Sequence, residues 1–191
     1  MIFLVVIIAY ILGSIPSGYL IGKLFYHTDI RKLGSGNIGS TNALRNFGKS
    51  AGIATFALDI LKGFLAVYIG NKLSSYNGLA LAFLFVVIGH MYSIFLHFKG
   101  GKGVATSFGA LLYIDYKFAL ILIAIFALVV LLTHIVSLAS LIASFSAFIG
   151  GYIRFANSHV FWVLVIITIL IFYSHRSNIK RLINKEESKI F

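Results

Sequence analysis

Lys99-Gly100-Gly101-Lys102-Gly103-Val104-Ala105-Thr106-Ser107 stands between two strongly apolar runs, and its contrast with them decides how the chain is read. Three glycines and two ammonium groups in its first five residues give a backbone able to curl round an anion and charges able to hold it. Among neighbours so hydrophobic, a polar knot of this kind must face water or hold a ligand.

The runs on either side belong to a chain of 191 residues that is 60% hydrophobic and 11% charged, with a mean hydropathy of +0.99. Soluble domains carry about 25% charged residues, so the composition is that of a polytopic membrane protein. Crossing about 30 Å of hydrocarbon takes about 20 apolar residues, which predicts spans near 2–24, 50–70, 78–96, 104–115, 117–133, 135–152 and 158–174. The expected architecture is an all-α integral membrane protein of about seven transmembrane helices. No repeat, low-complexity tract or linker divides it, so 1–191 is read as a single membrane domain. Met1 to Leu12 is apolar without a basic flank and is read as the first membrane helix, not a cleavable signal. Ser14, Gly18 and Gly22 recur there at the four-residue spacing that lets membrane helices approach closely. Pro16, the only proline, is expected to kink that helix.

Lys and Arg total 16 against 5 Asp and Glu, a formal charge of +11. The excess sits in short loops between apolar spans, which argues for anionic lipid or an acidic substrate and against nucleic acid. Counted on alternate sides, one face receives Lys23, Arg31, Lys32, Arg45 and Lys49, then Lys99 and Lys102, then Arg176, Lys180, Arg181, Lys185 and Lys189. The other receives Lys72, Lys117 and Arg154, and Lys62 falls within a span. The bias predicts an outside N-terminus and a cytoplasmic C-terminus. It also assigns three polar segments, 31–49, 97–107 and 175–189, to one cytoplasmic face, where they can serve one ligand. With no cysteine, thiolate metal sites, disulfides and a cysteine nucleophile are excluded together.

The first segment contains Gly34-Ser35-Gly36-Asn37-Ile38-Gly39-Ser40-Thr41-Asn42-Ala43-Leu44-Arg45. Its glycines match a dinucleotide fingerprint in letter only, because a membrane helix precedes it where a soluble strand is required. Gly48-Lys49-Ser50 likewise imitates the end of a P-loop without the leading glycine, whose place Ala43 takes. What remains is a turn rich in uncharged donors, Ser35, Asn37, Ser40, Thr41 and Asn42, with one guanidinium, Arg45, suited to phosphate oxygens. In the second segment, Gly100, Gly101 and Gly103 before an apolar run resemble an anion nest at a helix N-terminus, with Lys99 and Lys102 as its charges. In the third, His175 and Asn178 lie three apart on a continuing helix, with Arg176 between them. Asp59 and Lys62 share a helix face inside the second span, as either a structural ion pair or support for a ligand site. His90 and His97, seven apart, fall on one face, with no carboxylate or cysteine nearby to complete a metal site. His134 and His159 are expected at the interface.

Taken in order, 34–45, Lys99-Gly-Gly-Lys-Gly-Val-Ala-Thr106 and His175-Arg-Ser-Asn-Ile-Lys-Arg-Leu182 resemble the three cytoplasmic motifs of the bacterial membrane glycerol-3-phosphate acyltransferases that use acyl phosphate, the PlsY family. Leu58 to Gly63 resembles the family's second span, so the likeness covers nearly the whole chain. It implies a seven-helix protein of the bacterial cytoplasmic membrane. The implied reaction moves a fatty acyl group from acyl phosphate to the 1-hydroxyl of sn-glycerol 3-phosphate, releasing lysophosphatidic acid and inorganic phosphate, without cofactor or metal. Its partners would be those two substrates, membrane lipids and the soluble enzyme that makes acyl phosphate. The matching positions are Ser35, Asn37, Asn42 and Arg45, then Lys99 to Gly103 with Thr106, then His175, Arg176 and Asn178. Ser40 stands where the family commonly has alanine and Lys185 where it frequently has glycine, while Glu187 keeps an acidic position.

An activated donor needs mainly alignment and neutralisation of its departing phosphate. Lys102 with the 100–103 backbone is expected to hold the donor's phosphate, and Arg45 with Ser35 the acceptor's. His175 is the candidate base, with a substrate phosphate as the other acceptor for the proton. The alternative acyltransferase signature, His followed by Asp five positions on, occurs at none of the six histidines. A lipid-phosphate transporter would instead need charged or broken elements deep in several spans, where only Asp59 and Lys62 lie deep.

Overall fold

A computed structural model of the chain describes residues 1–190, and every regular element among them is helical. Two compact units make up the chain, Met1–Ile114 and Asp115–Phe191. By length and composition, three helical stretches can cross a membrane, Lys49–Leu96, Tyr116–Thr133 and Val136–Phe155, and up to five if each of two bent pairs counts as one span.

In the first unit, α1 (Ile2–Ser14) and α2 (Ser17–Phe25) meet at a 40° bend over Ile15 and Pro16. The cause is the expected one, since proline offers no N–H and its ring crowds the preceding turn. The small-residue stripe does not behave as a single face. Ser14 closes α1 and its carbonyl accepts the Ser93 hydroxyl at 2.5 Å, while Gly18 packs on the backbone of Ile38 and Gly22 on Thr28 and Phe47. The kink has split one expected helix contact into three separate ones.

After a 3-10 turn at Ile30–Lys32 and α3 (Ser40–Phe47) comes the longest element, α4 (Lys49–Met91). Its backbone leaves helical geometry at Ser74 and Ser75, and the second arm folds back so that Gly70 meets Gly78 and Ala82. The expected runs 50–70 and 78–96 thus lie on the two arms. The second ends earlier than its hydropathy suggests: α4 stops at Met91, and a further 3-10 turn, Ile94–Leu96, follows. His97 then takes a left-handed conformation (φ +52°) and is exposed, so His90 and His97 do not share a helix face. α1 lies against the second arm at Gly13 and Gly89, each so near the opposing backbone that a Cβ would overlap it. α5 (Val104–Ile114) runs along the first arm, with Thr106 against Gly63 and Gly109 against Ile60. A cluster of Ile21, Ile30, Ile38, Ala43, Ala51 and Leu96, with Tyr19 and Phe47, holds the 30–47 segment to α2 and α4.

In the second unit, α6 (Tyr116–Thr133), α7 (Val136–Phe155), α8 (His159–Ser174) and α9 (Arg176–Ile183) follow in order. α6 buries only Phe118, Ala119 and Leu122, an apolar surface suited to lipid. Asp115 caps α6 through Phe118 N–H at 3.1 Å and pairs with Arg154 at 2.5 Å, while Ser158 caps α8. α8 and α9 bend by 59° at His175. The chain then returns along this unit, with Ile190 N–H donating to the His134 carbonyl at 2.8 Å.

Candidate functional site

The first polar segment is a loop wound round one side chain. Asn42, 3% exposed at the start of α3, donates to the carbonyls of Ile30 (3.3 Å), Leu33 (3.1 Å) and Asn37 (2.8 Å). Its Oδ1 accepts from Ser35 N–H at 3.1 Å and from Asn46 at 3.0 Å. Asn42 therefore works as the loop's internal scaffold. Gly34 and Gly36 take left-handed φ values of +53° and +70°, which bring the chain round it. Asn37 closes a local turn by accepting Gly39 N–H at 2.8 Å, and the Ser35 hydroxyl accepts Asn37 N–H at 3.4 Å. Ser35 and Arg45 are exposed and Ser40 half-buried, with no side chain capping the first turn of α3. At the margin, Arg31 clasps Asp29 at 2.7 Å and lies over the Tyr19 ring, and that hydrogen-bonded guanidinium lowers the Asp29 carboxyl to about 2.

The second segment corrects the expected nest. Gly100 N–H donates to the Met91 carbonyl and Gly101 N–H to the His90 carbonyl, each at 3.0 Å, so these amides satisfy the end of α4 and do not point at a ligand. A helix end leaves its last carbonyls without partners, and the glycines reach them because they have no Cβ. A methyl at Gly100 would meet those carbonyls, and one at Gly101 the His90 ring. Gly103 (φ +85°) turns the chain into α5 and accepts Ser107 N–H at 2.8 Å, and the first N–H groups of α5 lie next to half-buried Lys102. Lys99 is exposed. Thr106 is fully buried in the seam with α4, and among the described residues its hydroxyl has no hydrogen-bond partner.

Beneath this loop is a buried ionic cluster. Lys62 Nζ lies 2.8 Å from Asp59 Oδ1 and donates to the Ile15 carbonyl at 2.9 Å, a carbonyl exposed by the Pro16 kink. Ser17, just past the kink, donates to Asp59 at 2.9 Å. His90 Nδ1 stands 3.6 Å from the same carboxylate oxygen. Helical spacing pairs Asp59 with Lys62 but does not bring in His90, 31 positions on. The available signal was an ionisable residue near the end of an apolar run; its partner depends on the α4 fold-back.

In the second unit, His175 stands at the N-cap position of α9 and is 2% exposed. Its Nδ1 lies 2.8 Å from the Ile171 carbonyl, which can only accept, so Nδ1 carries the proton and Nε2 has the lone pair in the neutral ring. Asn178 donates to Glu187 Oε1 at 2.5 Å, Ser137 donates to the same oxygen at 2.8 Å, and Arg181 holds Oε2 at 2.6 Å. Arg176 turns back over Tyr173, donating to its carbonyl at 3.2 Å. Burial alone raises the Glu187 carboxyl, but the hydrogen bonds from Arg181, Asn178 and Ser137 outweigh it and hold Glu187 below the ordinary carboxylate range. Its stabilising contribution is therefore complete above that range and is lost as pH falls through the lowered value. Glu187→Gln is expected to cost about 1–2 kcal/mol near neutrality. Thermal melts between about pH 7 and about pH 3 should show the parent losing this advantage while the variant changes less.

Lys185 closes α9 at φ +58°, with its N–H bonded to Leu182 O at 3.1 Å and Glu186 N–H to Arg181 O at 2.8 Å. This is the left-handed helix stop that glycine fills without strain, which explains the glycine expected at this position. Lys185→Gly should stabilise by about 1 kcal/mol, seen as a melting temperature higher by about 2–4 °C.

Residues 3–185 match the family model for "Glycerol-3-phosphate acyltransferase". The chain is 43% identical over 188 residues to the glycerol-3-phosphate acyltransferase of Fusobacterium nucleatum, covering 98% of this chain and 97% of the relative. The Bacillus subtilis enzyme of that name is 43% identical over 187 residues, covering 98% and 96%. Crystal structures of PlsY, an integral membrane glycerol 3-phosphate acyltransferase, superpose with a TM-score of 0.94 at 40% identity for the glycerol 3-phosphate form. The lysophosphatidic acid form gives 0.91 at 39%, and both comparisons cover 98% of this chain and 94% of the other.

Proposed function

The chain belongs to the glycerol-3-phosphate acyltransferase family, and on that premise we propose that it takes its fatty acyl group from an acyl phosphate and passes it to the 1-hydroxyl of sn-glycerol 3-phosphate, yielding lysophosphatidic acid and inorganic phosphate. The observation that carries the reading is the position of half-buried Lys102 just before the first turn of α5, a cation beside a helix N-terminus suited to phosphate. Lys102 and that first turn bind the donor's phosphate, with Lys99 and Gly103 shaping the approach. Arg45 and Ser35 bind the acceptor's phosphate, assisted by Asn37 and Ser40, while Asn42 fixes the loop.

The 1-hydroxyl attacks the acyl carbonyl, the bond from that carbon to the phosphate oxygen breaks, and the ester forms. The hydroxyl proton passes to His175 Nε2, the nitrogen left basic by the Ile171 contact. Negative charge gathering on the departing phosphate is met by Lys102. Asn178 and Arg176 bind substrate from α9, and Thr106 steadies the start of α5. An acyl phosphate is already activated, so this chemistry calls for no cofactor or metal. The soluble enzyme that makes the acyl phosphate is the natural supplier.

In the same reading the protein is one membrane domain that crosses the bacterial inner membrane seven times. Its N-terminus is outside, and its active site and C-terminus are cytoplasmic. Single cysteines placed in this cysteine-free chain test the topology: a membrane-impermeant thiol reagent added outside should label Lys72→Cys and not Lys99→Cys. The reaction itself is tested by giving purified protein both substrates, with one inorganic phosphate expected per lysophosphatidate. Phosphate uptake into liposomes without acyl transfer would favour the transporter alternative.

A further inference from the structure

A carboxylate within a membrane helix is costly, and Lys62 alone would neutralise Asp59. The cluster holds more. Ser17 and the Ile15 carbonyl, on either side of Pro16, join it, and His90 brings its Nδ1 edge to 3.6 Å from the Asp59 oxygen that Lys62 already holds, beyond hydrogen-bond reach. Asp59, Lys62 and His90 are 2%, 6% and 4% exposed. The other edge of the imidazole faces the Lys99–Gly103 loop, where a methyl built on Gly101 would fall on Nε2 and Cε1. Through its backbone, the same residue accepts Gly101 N–H, beside the Met91 carbonyl that accepts Gly100 N–H. His90 is thus set between a fixed carboxylate and the polar loop.

We propose that Asp59, Lys62 and His90 form a positioning device for the Lys99–Gly103 loop. The ionic cluster borders the buried imidazole by charge and packing, and the imidazole sets the height of the backbone that presents Lys102 and the first turn of α5 to a substrate phosphate. This rests on the phosphate-binding reading of that loop. Stability by itself does not require the arrangement, because buried ion pairs are often replaced by apolar residues without loss. A displaced loop, by contrast, directly weakens the grip on a phosphate. The three residues act through the loop and touch no reacting atom.

The test is kinetic. Asp59→Val/Lys62→Met removes both charges together and so leaves neither buried alone. We expect it to melt near the parent temperature, with KM for one phosphate-bearing substrate raised about tenfold and kcat changed less than about threefold. A second arm does not depend on that variant folding. Gly101→Ala, whose methyl meets the ring, should lose most activity, and adding His90→Ala should restore kcat/KM at least about tenfold by clearing the space. A folded Asp59→Val/Lys62→Met protein with unchanged KM for both substrates overturns the proposal, as does the absence of any recovery in the Gly101→Ala/His90→Ala protein. Lys102→Ala, measured alongside, separates the two readings. If it raises KM while the charge-free variant does not, the positioning role alone fails. If Lys102→Ala leaves kcat and both KM values unchanged, the phosphate reading beneath it fails.

Discussion

Replacing His175 by alanine is expected to lower kcat by about 10²–10⁴-fold, the usual contribution of a positioned general base, with little change in the KM for glycerol 3-phosphate. The expectation follows from a single contact. The Ile171 carbonyl accepts the Nδ1 proton at 2.8 Å, and this fixes the ring in the tautomer whose Nε2 can take a proton from a hydroxyl. The ring is also nearly inaccessible, at 2% exposure, so its orientation is set before a substrate arrives. Because His175 is also buried at the bend between α8 and α9, a thermal melt must accompany the kinetics. A protein that folds like the parent but turns over slowly supports the base. Near-normal turnover at saturating substrates means that a phosphate oxygen of the substrate takes the proton instead.

Lys102→Ala is expected to reduce kcat/KM by about 10²–10³-fold, comparable to removing one group from an oxyanion-stabilising site. With Gly100 and Gly101 amides committed to the end of α4, the loop has fewer free donors than its three glycines suggest. The ammonium group then bears more of the departing phosphate's charge. Lys102→Arg keeps the charge but replaces a compact head with a planar fork, so partial recovery there and none with Lys102→Gln would mark charge as the operative property.

Much of the architecture is legible in the chain itself, because membrane crossing demands long apolar runs and proline reliably breaks a helix. The bend at Pro16 and the pairing of Asp59 with Lys62 are both local consequences of spacing. What spacing does not carry is distance in space between remote positions. The approach of His90 to Asp59 depends on non-helical angles at two serines, Ser74 and Ser75, which no periodicity marks. The glycine loop is ambiguous in sequence for a related reason. Glycines that cradle an anion and glycines that let a backbone settle on a helix end have the same letters, and only the partners of Gly100 and Gly101 distinguish them. Asn42 shows the same ambiguity: an amide suited to phosphate proves to hold the loop together. Lys185 runs the other way, since its departure from glycine marks a left-handed position that the fold retains despite the side chain.

The identity of the acyl donor defines the reaction, and one side-by-side assay decides it. Purified protein is given glycerol 3-phosphate with either an acyl phosphate or the matching acyl-CoA, and lysophosphatidate is quantified. Product is expected from the acyl phosphate, with equimolar inorganic phosphate, and none above background from acyl-CoA. Equal or greater yield from acyl-CoA would contradict it.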